Sequence, residues 1–162
     1  MKMKRLVSLA AFACILVISV GQEALAAEQH HHGDGASAGQ QLQLNAGKKW
    51  ATDAPLRQSM TAVNQAMAKA LPLIHKGRFG DADFAGLAAT IRQKVAYAIE
   101  HCKLEPEADA MLHFVIAELM AGADAMDGKM ADSRHDGAVR VLQALRSYGK
   151  YFQHPDWKAA KA

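Results

Sequence analysis

Cysteine is scarce in this chain, since its 162 residues include only Cys14 and Cys102. Aromatic residues make up 6% of the sequence, and there are four prolines. No segment alternates polar and apolar residues in the way that a half-buried strand requires. These absences exclude a disulfide-rich scaffold and give no support to a β-sheet fold.

The N-terminus has the layout of a secretory signal peptide. Three basic residues within the first five positions precede an apolar run from Leu6 to Val20, and Ala24-Leu25-Ala26 offers small residues for cleavage. The run of about 15 residues is shorter than the roughly 20 that a membrane-spanning helix needs. We therefore predict a signal peptide over residues 1–26, export to the periplasm, and no membrane association after cleavage. Cys102 is then the only cysteine left.

Charge balance argues against a nucleic-acid partner. The whole chain has 19 basic and 16 acidic residues, and loss of residues 1–26 leaves 16 against 15. A nearly neutral chain carries no basic footprint for nucleic acid. Residues 27–46 contain too few large apolar side chains to form a core, which predicts a flexible tail. Residues 47–158 remain for one domain.

Four segments repeat apolar residues every three or four positions, as one face of a helix does. The predicted inward positions are Leu56, Met60, Val63, Met67, Leu71 and Ile74 in the first helix; Phe84, Leu87, Ile91, Val95, Ile99 and Cys102 in the second; Leu112, Val115, Ile116, Leu119, Ala123 and Met126 in the third; and Ala138, Val141, Leu142, Leu145, Tyr148 and Phe152 in the fourth.

Helix ends are marked by capping residues. Thr52 or Asp53 can cap the first helix and Asp81 or Asp83 the second, while the fourth starts at about Ser133. The short connections between the helices favour an all-α fold, an antiparallel up-down-up-down four-helix bundle.

Antiparallel packing would bring together at one end of the bundle side chains that bind soft metals. Cys102, Met60 and His113 would supply a thiolate, a thioether and an imidazole, the groups that select Cu(I). Asp109, four residues before His113, can orient the imidazole or form a surface pair with it. We predict a copper or zinc site from Cys102, His113 and Met60. The alternative is that the sulfur atoms only fill the core.

The tail adds a separate metal-binding signal. His30, His31 and His32 are adjacent, and imidazoles on a mobile chain can chelate copper or zinc loosely. These histidines are a second predicted metal site, with an incidental polar tail as the alternative. Pairing of Cys102 with the same residue of a second chain would give a homodimer, which the sequence leaves open.

A b-type heme carrier is the next alternative. No C-x-x-C-H motif for covalent attachment is present. Met60 near the start of the first helix and His154 near the end of the last resemble the arrangement in the cytochrome b562 group, which implies a heme held by these two residues. The strings LNAGKKWATDAPLR (44–57) and CKLEPEADAMLH (102–113) are similar to those of small, uncharacterised exported bacterial proteins.

Motifs for catalysis are missing from the sequence. It has no Gly-rich phosphate loop, nucleophile elbow or H-E-x-x-H, and Glu118 lacks the histidine three residues later that a di-iron bundle would require. We therefore expect a protein that is not an enzyme. Metal handling is the main prediction, and a bundle that binds a partner or senses envelope conditions is the alternative from a different class.

Overall fold

The computed structural model describes residues 41–161. The predicted signal peptide, residues 27–40 of the predicted tail, and the histidines at positions 30–32 lie outside these residues. The described part forms an all-α four-helix bundle with helices α1 (Ala54–His75), α2 (Asp81–His101), α3 (Pro106–Met126) and α4 (Arg134–Tyr151). None of these helices is long and apolar enough to cross a membrane.

The core is built from the predicted helix faces, with three exceptions, Ile99, Ile116 and the half-buried Cys102. All six predicted positions of α1 and all six assigned to the fourth helix are buried. Ile116 is only partly buried, and Ile99 is 60% exposed, so its predicted inward position is wrong. Ala98 is buried in its place at 2% exposure. Successive residues on a helix point about 100° apart, so Ala98 and Ile99 face in different directions.

Helix starts follow the sequence signals in two cases out of three. Asp53 caps α1 by accepting the Leu56 N–H at 3.0 Å, and Ser133 caps α4 by accepting the Asp136 N–H at 3.1 Å. In α2 the N-cap is Gly80 instead of an aspartate. Asp83 still contributes, because its carboxylate accepts the Gly80 N–H at 2.9 Å.

Consecutive helices pack against each other along the chain, and α3 with α4 makes the closest approach. A Cβ atom on Gly137 would lie 2.6 Å from the Gly122 carbonyl oxygen, and one on Gly122 would lie 2.8 Å from the Gly137 oxygen. The two backbones are therefore in direct contact. Away from this crossing, Arg140 pairs with Glu118 at 2.7 Å.

The first and last helices touch at only a few positions. Residues 152–161, here called the C-terminal segment, lie against α1 instead. Phe152 is fully buried, and Asn64 of α1 holds the segment through the Lys158 carbonyl at 2.9 Å and the Ala160 N–H at 2.7 Å. The core therefore includes residues that follow the last helix.

The chain before α1 is also fixed to this segment. The backbone N–H of Trp50 donates to the Tyr151 carbonyl at 2.8 Å, and the backbone carbonyl of Trp50 accepts the Gln153 N–H at 2.8 Å. This pairing ends α4 at Tyr151, three residues before His154, which therefore lies outside the helix. Trp50 packs partly buried against the core, as expected of a side chain that covers the end of the bundle.

Candidate functional site

Asp53 joins the start of α1 to the connection between α2 and α3. One carboxylate oxygen caps α1, and the other accepts the Lys103 N–H at 2.6 Å. Lys103 directly follows Cys102. Asp53 thus fixes the backbone next to the predicted sulfur ligand.

Cys102 is the C-cap of α2, and its N–H donates to the Ala98 carbonyl at 2.9 Å. Its side chain is half-buried and forms no disulfide. Burial raises the pKa of the thiol, and the negative charges of Asp53 and Asp109 raise it further. The sulfur is therefore a neutral thiol at neutral pH, and a cation that binds it must displace the proton.

His113 is held by the residue one turn before it. Its Nδ1 lies 2.9 Å from the Asp109 carbonyl oxygen and 3.5 Å from the Asp109 carboxylate. A carbonyl oxygen can only accept, so Nδ1 carries the proton and Nε2 has a free lone pair. With 67% of its side chain exposed, the imidazole is open to solvent. The predicted pair between Asp109 and His113 is present.

Met60 is placed differently from the other two predicted ligands. It is 2% exposed and belongs to the core cluster. Asp109 connects the other two, because its charge acts on the Cys102 thiol while its carbonyl holds His113. Within residues 41–161, no group of three or more His, Cys, Asp or Glu side chains is arranged to hold a metal ion.

A cavity of about 350 Å³ lies between the lead-in to α1 and the start of α3, and its lining includes Lys103, the residue after Cys102, but not Cys102 itself. Three carboxylates line it, those of Asp53, Glu105 and Glu107, and Lys103 is the one basic residue in the lining. The excess of negative charge attracts cations to this end of the bundle.

Comparisons with family models, curated proteins and solved structures find no match to the chain.

His154 has partners that the sequence analysis did not predict. Its Nδ1 lies 3.0 Å from the Tyr148 hydroxyl, and its Nε2 lies 3.4 Å from Thr61 Oγ1. Trp157 packs on the same ring, with centroids 4.8 Å apart. The spacing from Tyr148 to His154 is not a helical one, because the chain leaves α4 between them. Helical periodicity therefore could not predict this cluster.

A second cavity, of about 440 Å³, opens beside His154 along α1. Its lining includes Arg57 and Thr61 but not Met60. Burial lowers the pKa of His154, and the positive charge of Arg57 lowers it further. The imidazole is therefore neutral at neutral pH.

Proposed function

We propose that this protein is a non-enzymatic metal-handling protein of the periplasm that binds copper or zinc through Cys102 and His113. One observation carries the proposal: Asp109 holds Nδ1 of His113 and leaves Nε2 free, while the charge of the same residue acts on the Cys102 thiol. Histidines that ligate metals commonly donate their other ring N–H to a carbonyl or carboxylate in this way.

The chemistry of the neighbouring groups supports a soft cation. A thiolate and an imidazole select copper or zinc over magnesium or calcium. The carboxylates of the adjoining cavity would raise the local concentration of a cation and offset the charge that a bound ion introduces. Two protein ligands, with Met60 as the proposed third, suit an ion that is passed on more than one that holds the fold together.

The core also favours a handling role over a structural one. Apolar side chains from all four helices form one buried cluster, and of the three proposed metal ligands it contains only Met60. Packing of this extent stabilises a domain by itself, whereas structural zinc domains depend on their metal to fold. Metal binding should therefore change the thermal midpoint of unfolding only by simple mass action.

The test is a titration of the mature protein with Cu(I) and with Zn(II), after His30, His31 and His32 have been changed to asparagine so that the tail cannot contribute. We expect one equivalent to bind. Cys102→Ser should abolish this binding, and His113→Gln should weaken it by about tenfold or more, as loss of an orienting or ligating group does.

His101→Gln is the matched control. The Nδ1–H of His101 also donates to a backbone carbonyl one turn earlier, that of Tyr97, at 3.0 Å. The His101 side chain is exposed, and the residue directly precedes Cys102. We expect this variant to keep full binding. Met60→Leu tests the thioether as the third ligand. Unchanged stoichiometry in Cys102→Ser would refute the proposed site.

The heme alternative has less support from the geometry. The two ring nitrogens of His154 already lie near Tyr148 and Thr61, and Met60 lines neither of the two cavities described above. An absorption spectrum of protein made with ample heme tests this alternative directly, because a heme bound by Met60 and His154 would give a Soret band whose position or intensity changes in the Met60→Leu variant.

A further inference from the structure

An open cavity, lined mostly by polar residues, lies beside His154, and none of the proposed metal ligands lines it. It lies where α1 meets the C-terminal segment and has a volume of about 440 Å³. Small-molecule sites in proteins commonly span roughly 300–1,000 Å³. Its polar lining comes from Arg57, Gln58, Thr61, Gln65 and His154.

His154 presents a hydrogen-bond donor to this cavity. Tyr148 is fully buried, and burial raises the pKa of its hydroxyl far above neutral pH, so the hydroxyl keeps its proton. The hydroxyl and Nδ1 of His154 lie 3.0 Å apart, and either group can donate in this hydrogen bond. We assign the O–H as the donor, which leaves the ring proton of the neutral imidazole on Nε2, the nitrogen nearer to Thr61.

Arg57 supplies the only charge in the lining. Its Nη1 donates to the Thr52 carbonyl and to the Thr52 hydroxyl, which fixes the guanidinium plane. The Nε and Nη2 groups have no protein acceptor within residues 41–161. That edge of a guanidinium forms two parallel hydrogen bonds with a carboxylate.

We propose that this cavity binds a small carboxylate, with the free edge of Arg57 and the Nε2–H of His154 as donors. No acidic side chain lines the cavity to compete for Arg57. Asp53, one turn earlier on α1, has both carboxylate oxygens engaged by backbone N–H groups. The planar fork of a guanidinium matches the two oxygens of a carboxylate, and its single positive charge balances one such group.

Gln58 and Gln65 in the cavity lining favour carboxylate ligands that carry a second polar group. Gln58 and Gln65 line the cavity with amide groups that both donate and accept hydrogen bonds. Gln65 is exposed and makes no side-chain hydrogen bond within the described part of the chain. Its amide is therefore available to a ligand.

The test uses ¹⁵N-labelled full mature protein and follows the Arg57 Nε–H and the His154 ring by NMR. The probes are sodium L-malate and sodium succinate at millimolar concentration, with succinamide and inorganic phosphate compared at equal ionic strength. We expect saturable shifts of both groups with the two carboxylates, none with succinamide, and weaker binding of phosphate.

Substitution of Gln65 by glutamate or lysine tests how the charge of the cavity affects binding. Gln65 is exposed, so both new side chains can reach solvent. Gln65→Glu should weaken succinate binding by about tenfold, and Gln65→Lys should strengthen it, because the new charges lie next to the ligand. Arg57→Gln should abolish binding. Arg146→Gln, which removes an exposed charge of the same sign outside the cavity lining, should leave binding unchanged.

The proposal is overturned if neither carboxylate shifts the two groups, if phosphate binds as tightly as succinate, or if the two Gln65 variants bind succinate equally. Arg57 also donates hydrogen bonds to Thr52. If the Arg57→Gln variant does not fold for that reason, the two Gln65 variants test the proposal in its place. None of these variants changes Cys102 or His113, so the outcome is independent of the metal titration.

Discussion

Replacing Gly137 with alanine tests how closely α3 and α4 approach each other. The added methyl group would lie 2.6 Å from the Gly122 carbonyl oxygen, 2.7 Å from the Met126 nitrogen and 2.9 Å from the Ala125 Cβ. Two of these three neighbours are backbone atoms, so no side-chain rotation relieves the overlap. The helices themselves would have to move apart, and the apolar contacts around the crossing would loosen.

The magnitude follows from two opposing effects. Overpacking of a core costs typically 1–3 kcal/mol, and a clash with backbone belongs at about 3 kcal/mol. Alanine is about 1 kcal/mol more favourable than glycine inside a helix. We therefore expect Gly137→Ala to lower the free energy of unfolding by about 2 kcal/mol, which for a domain of this size corresponds to roughly 8 °C in the melting temperature.

Gly86→Ala is the matched control, since Gly86 lies inside α2 and a Cβ there would meet no atom within 4 Å. Only the helix preference acts at this position, so this variant should be more stable by about 1 kcal/mol. Urea unfolding followed by circular dichroism measures both. If Gly137→Ala proved as stable as Gly86→Ala, the backbone contact between α3 and α4 would be refuted.

Three further predictions concern single polar groups. Asp53→Ala should destabilise the protein by about 2–3 kcal/mol in urea unfolding, because it removes a helix cap and the bond to Lys103. Asp53→Asn keeps only one acceptor oxygen, so an Asp53→Asn variant as stable as the unchanged protein would contradict the role of the two carboxylate oxygens. Ser59→Ala should be neutral or stabilising in the same assay, since the buried Ser59 hydroxyl has no partner among the described residues; a loss above about 1 kcal/mol would be inconsistent with this. The lowered pKa of His154 means that the unfolded chain binds more protons there, so stability should fall as the pH decreases through the ordinary value of 6.5. A His154→Gln variant with the same fall between pH 8 and 5.5 would show that other groups cause it.

Much of the fold could be predicted because helical periodicity and capping residues act locally. The α1 face and the caps Asp53 and Ser133 follow from the spacing of residues along one helix. Ile99 was assigned wrongly because the sequence offers two adjacent apolar residues, Ala98 and Ile99, and only packing against other helices selects the smaller one for the core.

The candidate sites were harder to predict, since they depend on contacts between distant parts of the chain. The pairing of Asp109 with His113 is a one-turn spacing and was expected. The bond from Tyr148 to His154 depends on where α4 ends, and the pairing of Trp50 with the residues after α4 decides that point. The residues next to His154 in the sequence do not indicate that Trp50 pairs with this part of the chain, so the hydrogen bond could not be predicted.

The position of the C-terminal segment affects the order in which the protein can be completed. Because Ala160 is buried and its N–H bonds to Asn64 of α1, the groove along the first helix stays uncovered until residues 158–160 arrive. A chain delivered from its N-terminus, by a ribosome or through a membrane channel, can form its helices early but cannot cover this groove before those residues have emerged.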